Sequence, residues 1–524
     1  MRDNLPPAAD WPRLDYSGLP AYPARLNAAT HLLDRHVAEG NGQRTAIWFE
    51  GTSISYAALL SWANRLARVL TEDLNLIPGN RVLLRGFNTP GMVAAWLAVL
   101  KAGGVVVTTM PLLRARELEE VIRKARVGVA LCDARLEEEL RLAEQRLGPH
   151  MPRTVLFGNA QLEELATQKQ EQFTNVETAA DDPCIIAFTS GTTGKPKGAV
   201  HLHRDVLAIC DTFSANILNP AADDVFAGSP PLAFTYGLGG LLTFPLRVGA
   251  STALLEKVTP QSLLELIHSA RVTSLFTSPT MYRGLVDLVP QFDLSSLKHC
   301  VSAGEPLPLP TYEAWQRASG LRIIDGIGST ELLHIFISAA GDDIVPGATG
   351  KVVPGYEARV VDDAGNPLPI GEVGLLAVRG PTGCRYLDDP ERQRVYVRNG
   401  WNFTGDAYKQ DERGYFWFQA RADDMIISAG YNIAGIEIEN VLLDHPSVLE
   451  CGVVGAPDPE RGHIVKAFVV LREPSAGGPA LVHELQDFVK REIAPYKYPR
   501  AIEFVEALPR TDTGKLQRYK LRES

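Results

Sequence analysis

The chain has 524 residues, which is too long for one ordinary hydrophobic core and predicts at least two domains. Apolar residues make up 45% of it and charged residues 22%, the composition of a soluble globular protein. The net charge of −10 argues against a nucleic-acid-binding protein, because affinity for a phosphate backbone needs clustered cations.

The N-terminal residues and the cysteines predict a cytoplasmic protein. Residues 1–13 are polar and lack the apolar core of a signal peptide. Lys101 and the pair Gly103-Gly104 interrupt the apolar stretch 92–110, so we expect no membrane span. The six cysteines are scattered without a CxxC pair, which predicts reduced thiols instead of a zinc site or disulfides.

Residues 27–150 alternate between helical and strand patterns, which predicts a parallel sheet with helices on both faces. A second α/β series is predicted at 203–340. The predicted helices in the first series are 56–71, 91–100, 117–125 and 136–147, and the predicted strands are 81–84, 105–109, 130–131 and 184–188.

The pattern changes at residue 350. Short strands punctuated by Gly, Pro, Asp and Asn are predicted at 357–361, 375–379 and 415–419, and they indicate a β-rich subdomain. Mixed helix and strand patterns return after residue 421 over about a hundred residues, enough for a small domain. We therefore predict an α/β protein with domains at 1–422 and 423–524. The first has two α/β subdomains plus the β-rich one, and the second is α+β.

A glycine-rich and hydroxyl-rich run, TSGTTGKPKG, occupies residues 189–198 directly after the apolar strand 184–188. Glycines let successive amides turn toward one anion, hydroxyls add donors and lysines add positive charge. This combination predicts a triphosphate site, with a solvated turn as the alternative. The glycine spacing is not that of a Walker A loop, and Pro196 follows the lysine.

This run resembles the phosphate loop of the acyl-adenylate-forming superfamily, which contains acyl- and aryl-CoA ligases, luciferases and adenylation domains of peptide synthetases. Later motifs recur in the family's order along nearly the whole chain. The resemblance implies an enzyme that uses ATP, Mg²⁺ and CoA. The implied ATP-binding residues are Thr189, Ser190, Gly191, Thr192, Thr193, Gly194, Lys195, Ala303, Gly304, Glu305, Asp325, Gly326, Ile327, Gly328, Asp406 and Arg421.

The segment 325–331, DGIGSTE, places a carboxylate beside hydroxyls and glycines, which suits a hydrated Mg²⁺ and phosphates. A helix N-cap at Ser329 or Thr330 is the alternative, and both can hold together. By resemblance, Thr330 contacts the α-phosphate and Glu331 is the metal ligand. An ionised Asp406 is able to accept both ribose hydroxyls. The alternatives are a turn aspartate for Asp406 and a surface cation for Arg421.

Three further roles rest on resemblance. Asp423 is the expected hinge of a mobile C-terminal domain, and Gly430 and Tyr431 line the channel for the CoA pantetheine. Lys515, in the segment 508–516, is the expected catalytic lysine. A solvated surface lysine is the ordinary interpretation of such a residue. The histidines at 201 and 203 are interpreted as strand residues with a structural role.

The expected acid pocket contains two aromatic residues, small residues and a glycine-rich turn before Glu331. Its members are Phe234, Thr235, Tyr236, Gly237, Gly328, His334 and Ile335. This set suits a compact flat acid, although core packing also explains Phe234 and Tyr236. Residues 325–336 resemble the benzoate-CoA ligase branch, and residues 381–387 resemble its 2-aminobenzoate members.

The resulting hypothesis is an ATP-dependent aryl-CoA ligase that forms an aryl-adenylate from 2-aminobenzoate (anthranilate) or benzoate and releases pyrophosphate and AMP. A carrier-protein phosphopantetheine is the alternative acceptor. A nucleotide-binding regulatory protein without catalysis is the alternative from another class. The expected partners are the aryl carboxylic acid, ATP and CoA, without nucleic acid or membrane, and the expected state is a monomer or homodimer.

Overall fold

The computed structural model describes residues 2–190, 196–421, 424, 426–428, 431–458, 462–493, 497–510 and 516–523, with backbone only at 190, 427, 431, 432 and 462. These residues form four sheets. No helix within the described ranges combines the length and apolar character that a bilayer crossing requires. The six cysteines are all buried free thiols.

The predicted phosphate loop falls at the last two strands of the first α/β region. Its strands are β1 (Thr45–Phe49), β2 (Thr52–Ser55), β3 (Arg81–Arg85), β4 (Val105–Thr109), β5 (Val129–Asp133), β6 (Arg153–Phe157), β7 (Pro183–Ser190) and β8 (Pro196–Leu202). Its helices are α1 (Arg35–Ala38), α2 (Tyr56–Arg68), α3 (Pro90–Lys101), α4 (Ala115–Ala125), α5 (Glu137–Leu147) and α6 (Gln161–Thr167).

Six of these strands make a sheet in the order β6–β5–β3–β4–β7–β8, which is parallel except for β8 at its edge. The other two, β1 and β2, belong to the sheet of the second region. The helix α3 is buried along its whole length, begins after an N-cap at Thr89 and has Pro90 in its first turn. Lys101, at its end, is fully buried and paired with Asp34. The apolar stretch 92–110 is therefore the buried helix α3 followed by the buried strand β4.

The second α/β region runs from α7 to β15. Its helices are α7 (His203–Ile209), α8 (Thr235–Leu238), α9 (Phe244–Val248), α10 (Pro260–Ala270), α11 (Pro279–Leu285) and α12 (Leu309–Ser319). Its strands are β9 (Val225–Gly228), β10 (Ser251–Ala253), β11 (Ser274–Thr277), β12 (His299–Ser302), β13 (Ile323–Gly328), β14 (Ile335–Ser338) and β15 (Lys351–Val352). The sheet order is β15–β14–β13–β12–β11–β9–β10–β1–β2.

The β-rich region and the C-terminal region each have their own sheet. The β-rich region contains β16 (Glu357–Val361), β17 (Val373–Arg379), α13 (Pro390–Tyr396), β18 (Val397–Arg398), β19 (Trp401–Gln410) and β20 (Phe416–Arg421), all antiparallel. The C-terminal region contains β21 (Ile426–Ser428), β22 (Tyr431–Ile433), α14 (Gly435–Leu443), β23 (Val448–Asp458), β24 (Gly462–Leu471), α15 (Pro479–Glu492), β25 (Ala501–Phe504) and α16 (Arg518–Arg522).

The predicted fold class is confirmed: two α/β regions, a β-rich region and a smaller mixed C-terminal region follow one another along the chain. The boundary at 422/423 stays a prediction, because both residues lie outside the described ranges. The mobility of the C-terminal region also stays a prediction.

Candidate active site

The segment before Glu331 belongs to a strand. The predicted glycine-rich turn at residues 326–328 is wrong, because β13 continues through Gly328 and pairs antiparallel with β14. The close pairing with β14 requires glycine at this end. A Cβ atom at Gly328 would lie 2.7 Å from the carbonyl oxygen of His334, and one at Gly326 would lie 2.9 Å from the side chain of Ile335. Ile335 therefore covers Gly326 as a core residue.

A single 3-10 turn, Thr330–Leu332, follows this strand. The hydroxyl of Ser329 accepts the backbone N–H of Leu332 at 3.2 Å, so the predicted N-cap is found at Ser329. Leu333 then adopts a left-handed conformation with φ of 70°, although it is fully buried. Such a conformation costs on the order of 1–3 kcal/mol in a non-glycine residue and persists only where the surroundings fix it.

Two side chains from outside the motif hold this turn. The carbonyl oxygen of Thr330 lies 2.8 Å from Nε2 of His201, so this nitrogen carries the proton and donates it. The Tyr386 hydroxyl donates to Oε1 of Glu331 at 2.6 Å. Burial and the charge of Glu331 hold the pKa of Tyr386 well above its usual range, which keeps the phenol protonated.

The prediction that His201 and His203 are both strand residues is wrong for His203. His201 lies in β8, next to its last residue Leu202, whereas His203 begins α7 and accepts the N–H of Ala28 through Nδ1 at 3.1 Å. Burial lowers the pKa of each to about 4, so both are neutral at physiological pH. Their burial and hydrogen bonds agree with a structural role.

Positive side chains gather where the phosphate loop returns to the sheet. Thr189 pairs with Lys197 and Ser190 with Pro196 across β7 and β8. Burial lowers the pKa of Lys197 and the charge of Arg392 lowers it further, while Glu331 has the opposite effect. Lys197 therefore lies close enough to both Arg392 and Glu331 to interact with each, and neighbouring cations of this kind suit a polyphosphate.

The two predicted ribose residues face each other. Asp406 and Arg421 are register partners on β19 and β20, and Nη1 of Arg421 donates to Oδ1 of Asp406 at 2.8 Å. Gly405 has φ of 77°, and a Cβ atom there would lie 3.1 Å from Nη2 of Arg421. The carboxylate is mostly buried while the guanidinium is about half exposed, so Asp406 is a structured acceptor and not a flexible turn residue.

The predicted adenine-side residues meet at the ends of β12 and β13. Ser302 and Asp325 are neighbours in the sheet, and Oδ1 of Asp325 has no hydrogen-bond partner among the described residues. Burial raises the pKa of Asp325 to about 8. Ala303 is buried, Gly304 has φ of 89°, and Glu305 accepts the hydroxyl of Thr280 at 2.8 Å. The unpaired carboxyl oxygen is available to a ligand donor.

The predicted acid-pocket residues surround an aromatic cluster. The ring of His334 lies 5.8 Å from that of Tyr236 and 4.5 Å from that of Phe244. Burial lowers the pKa of His334 to about 3, while a hydrogen bond with the backbone of Tyr236 acts in the opposite direction. Tyr236 donates its hydroxyl toward the carbonyl oxygens of residues 277 and 301 at 3.2 and 3.1 Å.

The remaining pocket residues lie on or beside α8. Phe234, Thr235 and Tyr236 are half-buried, which leaves part of each open to a ligand, whereas Gly237 is buried. A Cβ atom at Gly237 would lie 2.1 Å from the carbonyl oxygen of Pro231, so only glycine fits there. Phe234 and Tyr236 are both partly exposed, and Tyr236 also packs against the main hydrophobic core.

Several predicted site residues lie outside the described residues, and their roles stay predictions. They are Gly191, Thr192, Thr193, Gly194, Lys195, Asp423, Gly430 and Lys515. Tyr431 is described by its backbone alone, in β22.

Sequence reasoning missed three residues of this site. Tyr386 stood in a segment noted only for its family resemblance, and His201 carried no sign of its contact with Thr330. Arg392 lies in a charged helical segment that looks like ordinary surface. A long-range contact has no local sequence signal, so only the fold reveals these neighbours.

Comparison with known proteins identifies the family. A family model described as AMP-binding enzyme matches residues 34–385, and one described as AMP-binding enzyme C-terminal domain matches residues 437–515. The chain belongs to the AMP-binding enzyme family. The predicted class, an AMP-forming acid–CoA ligase that uses ATP, Mg²⁺ and CoA, is confirmed at the level of this family.

This AMP-binding enzyme is similar to proteins with aryl and acyl substrates in their names. Benzoate–CoA ligase of Thauera aromatica is 36% identical over 97% of this chain and 98% of that protein. The mitochondrial acyl-coenzyme A synthetase ACSM4 of Rattus norvegicus is 34% identical over 96% of this chain and 91% of that protein. The solved structure of the anthranilate CoA ligase AuaEII in complex with anthranoyl-AMP has a TM-score of 0.90 and 34% identity. The match covers 96% of this chain and 98% of that chain.

Proposed function

We propose that the chain is an aryl-CoA ligase that activates 2-aminobenzoate or benzoate as an aryl-adenylate and transfers the acyl group to CoA. The observation that carries this proposal is the aromatic cluster in which His334, which follows the Thr330–Leu332 turn, packs against Tyr236 and Phe244. It suits a flat ring better than an extended alkyl chain. The names of the similar benzoate and anthranilate ligases support the same substrate class.

The proposed reaction has two steps. A carboxylate oxygen of the acid attacks the α-phosphorus of ATP, and the bond to the β-phosphate oxygen breaks, releasing pyrophosphate. The thiol sulfur of CoA then attacks the acyl carbon, the acyl–oxygen bond to AMP breaks, and the thiol proton passes to solvent. In this proposal the Thr330 hydroxyl contacts the α-phosphate, and Lys515 stabilises negative charge between carboxylate and phosphate.

The proposal gives each nucleotide-binding residue one role. Asp406 accepts the ribose hydroxyls, and Arg421 holds the Asp406 carboxylate in place by donating to its Oδ1. Asp325 offers an unpaired oxygen beside the adenine-side segment 303–305. The phosphate loop 189–195 holds the phosphates, Asp423 is the hinge, and Gly430 and Tyr431 line the thiol channel.

Magnesium fits at Glu331. The Oε1 atom accepts a hydrogen bond from Tyr386, and no donor among the described residues bonds Oε2. The described ranges hold no cluster of three His, Cys, Asp or Glu side chains able to form a metal cage. Mg²⁺ is commonly bound by one or two carboxylates together with substrate phosphates, where it neutralises phosphate charge. Glu331 is therefore the residue that would hold the ion.

His334 provides a reason to favour 2-aminobenzoate over benzoate. Its neutral imidazole has one accepting nitrogen, and an ortho amine is a donor that such a nitrogen pairs with. Pockets built to bind a polar group discriminate strongly against analogues that lack it. We therefore expect the enzyme to prefer 2-aminobenzoate over benzoate.

The test is ATP–pyrophosphate exchange with 2-aminobenzoate, benzoate, 4-aminobenzoate and hexanoate. We expect kcat/KM for 2-aminobenzoate to exceed that for benzoate by about 10-fold, and His334→Phe to remove most of this preference. His445→Phe is the matched control, since His445 is also a buried histidine packed on an aromatic ring, 5.1 Å from that of Phe488. Preference for hexanoate would instead support an acyl-CoA synthetase. Transfer to a carrier protein but not to CoA would overturn the acceptor assignment.

A further inference from the structure

Two buried side chains fix the backbone of the Thr330–Leu332 turn. His201 donates to the first carbonyl oxygen at 2.8 Å, and the Thr382 hydroxyl donates to the last one at 2.7 Å. The hydroxyl of Tyr356 lies 2.8 Å from that of Thr382. Because Thr382 gives its proton to the carbonyl, Tyr356 is the donor in that pair. The turn is thus held at both ends by directed hydrogen bonds.

The side chain of Glu331 is fixed separately. Its Oε1 accepts the Tyr386 hydroxyl at 2.6 Å, whereas Oε2 has no donor among the described residues. The Tyr386 side chain is 1% exposed, and its ring meets that of Tyr396 edge to face at 5.7 Å. One carboxylate oxygen is therefore tied to a buried phenol, and the other is left for a ligand.

The backbone of Tyr386 is equally well anchored. Its segment bridges β8, with Ala199 opposite Tyr386, and its N–H donates to Oε1 of the fully buried Gln393 at 2.9 Å. The neighbouring Arg385 forms a buried ion pair with Asp205 at 2.9 Å. The phenol therefore holds Glu331 from a rigid support.

We propose that Tyr386 is a positioning residue, whose hydroxyl holds Oε1 of Glu331 and thereby directs Oε2 toward the magnesium ion that accompanies ATP. This inference rests on the proposed function, in which Glu331 is the metal ligand. Residues that orient a metal ligand typically change metal affinity or activity by about 10-fold or more when they are replaced. Tyr386 itself contacts neither the metal nor the substrate.

The test compares Tyr386→Phe with Tyr56→Phe and Glu331→Gln. Tyr56 is a matched control, because its fully buried hydroxyl also donates at 2.6 Å, to the carbonyl oxygen of Ala250. Binding of ATP is measured by calorimetry with Mg²⁺ and, separately, with EDTA. We expect Tyr386→Phe to weaken binding in Mg²⁺ by about 10-fold and to leave binding in EDTA within about twofold. Tyr56→Phe should change neither.

A second readout is the free Mg²⁺ concentration that gives half-maximal pyrophosphate exchange. It should rise by about 3- to 10-fold in Tyr386→Phe and more in Glu331→Gln. If Tyr386→Phe weakens ATP binding to the same extent with and without Mg²⁺, the positioning role is overturned. It is also overturned if Tyr386→Phe needs the same free Mg²⁺ concentration as the wild type. If Glu331→Gln itself leaves the Mg²⁺ dependence unchanged, the metal role in the proposed function fails instead.

Discussion

His203 is a single residue whose protonation should make the stability of the protein depend on pH. It is 1% exposed, and burial lowers its pKa to about 4. The unfolded chain binds a proton on this residue below pH about 6.5, whereas the folded protein does so only near pH 4. The contribution of neutral, buried His203 to the free energy of unfolding is therefore fully present above pH 6.5 and is lost as the pH falls toward 4.

We expect His203→Asn to reduce the drop in the free energy of unfolding between pH 7 and pH 5 by about 2 kcal/mol. Asparagine keeps an acceptor near the position of Nδ1 without a titrating ring. Urea unfolding at the two pH values measures the difference. The exposed His268 is the control position. An unchanged pH dependence in His203→Asn would contradict the lowered pKa.

Individual site residues were predictable where a local motif carries them. Asp406 and Arg421 were predicted as a ribose pair, and the structure places them 2.8 Å apart, although their role stays a prediction. Tyr386 was not predictable as a partner of Glu331, because 55 residues separate them in the chain. Only the pairing of its segment with β8 brings the two together.

At the level of a single element, the π-helical segment Gly239–Thr243 sets the shape of the aromatic cluster. A Cβ atom at Gly239 would lie 2.3 Å from Cδ2 of His334 and 3.0 Å from Phe244. The backbone there is helical, so alanine is excluded by space and not by conformation. Gly239→Ala should displace His334 and raise the KM for the acid by about 10-fold. It should also lower the free energy of unfolding by about 1–3 kcal/mol.

Pyrophosphate exchange at varied acid concentration and thermal unfolding measure these two effects. Gly91→Ala is the control, since a Cβ atom there meets nothing closer than Trp62 at 3.6 Å, in the first turn of α3. Alanine in a helix should leave both quantities nearly unchanged or raise stability slightly. An unaltered KM in Gly239→Ala would show that the acid does not use this cluster.

Most elements were predictable from apolar periodicity, and β13 shows where this fails. The apolar pattern ends at Ile324, so the glycines that follow predicted a turn, yet the strand continues to Gly328. Strand pairing with β14 stabilises a glycine segment that has little intrinsic strand preference. That partner is specified by tertiary structure and not by the local sequence.

At the scale of the whole molecule, the C-terminal region is tied to the rest of the chain by charge. Glu450 of β23 accepts hydrogen bonds from Arg283 of α11 at 2.7 Å and from Arg510 at 2.9 Å. Arg510 directly precedes residues 511–515, which include Lys515. The pair with Arg283 is partly exposed, so it contributes only modestly and is compatible with a region that changes orientation.

A crystal structure with 2-aminobenzoyl-AMP tests the central claim most directly, because one ligand reports on the nucleotide and acid sites together. We expect the phosphate to lie within hydrogen-bonding distance of the Thr330 hydroxyl and the ring to rest against Tyr236 and His334. A ring bound elsewhere, or a phosphate remote from Thr330, would contradict it.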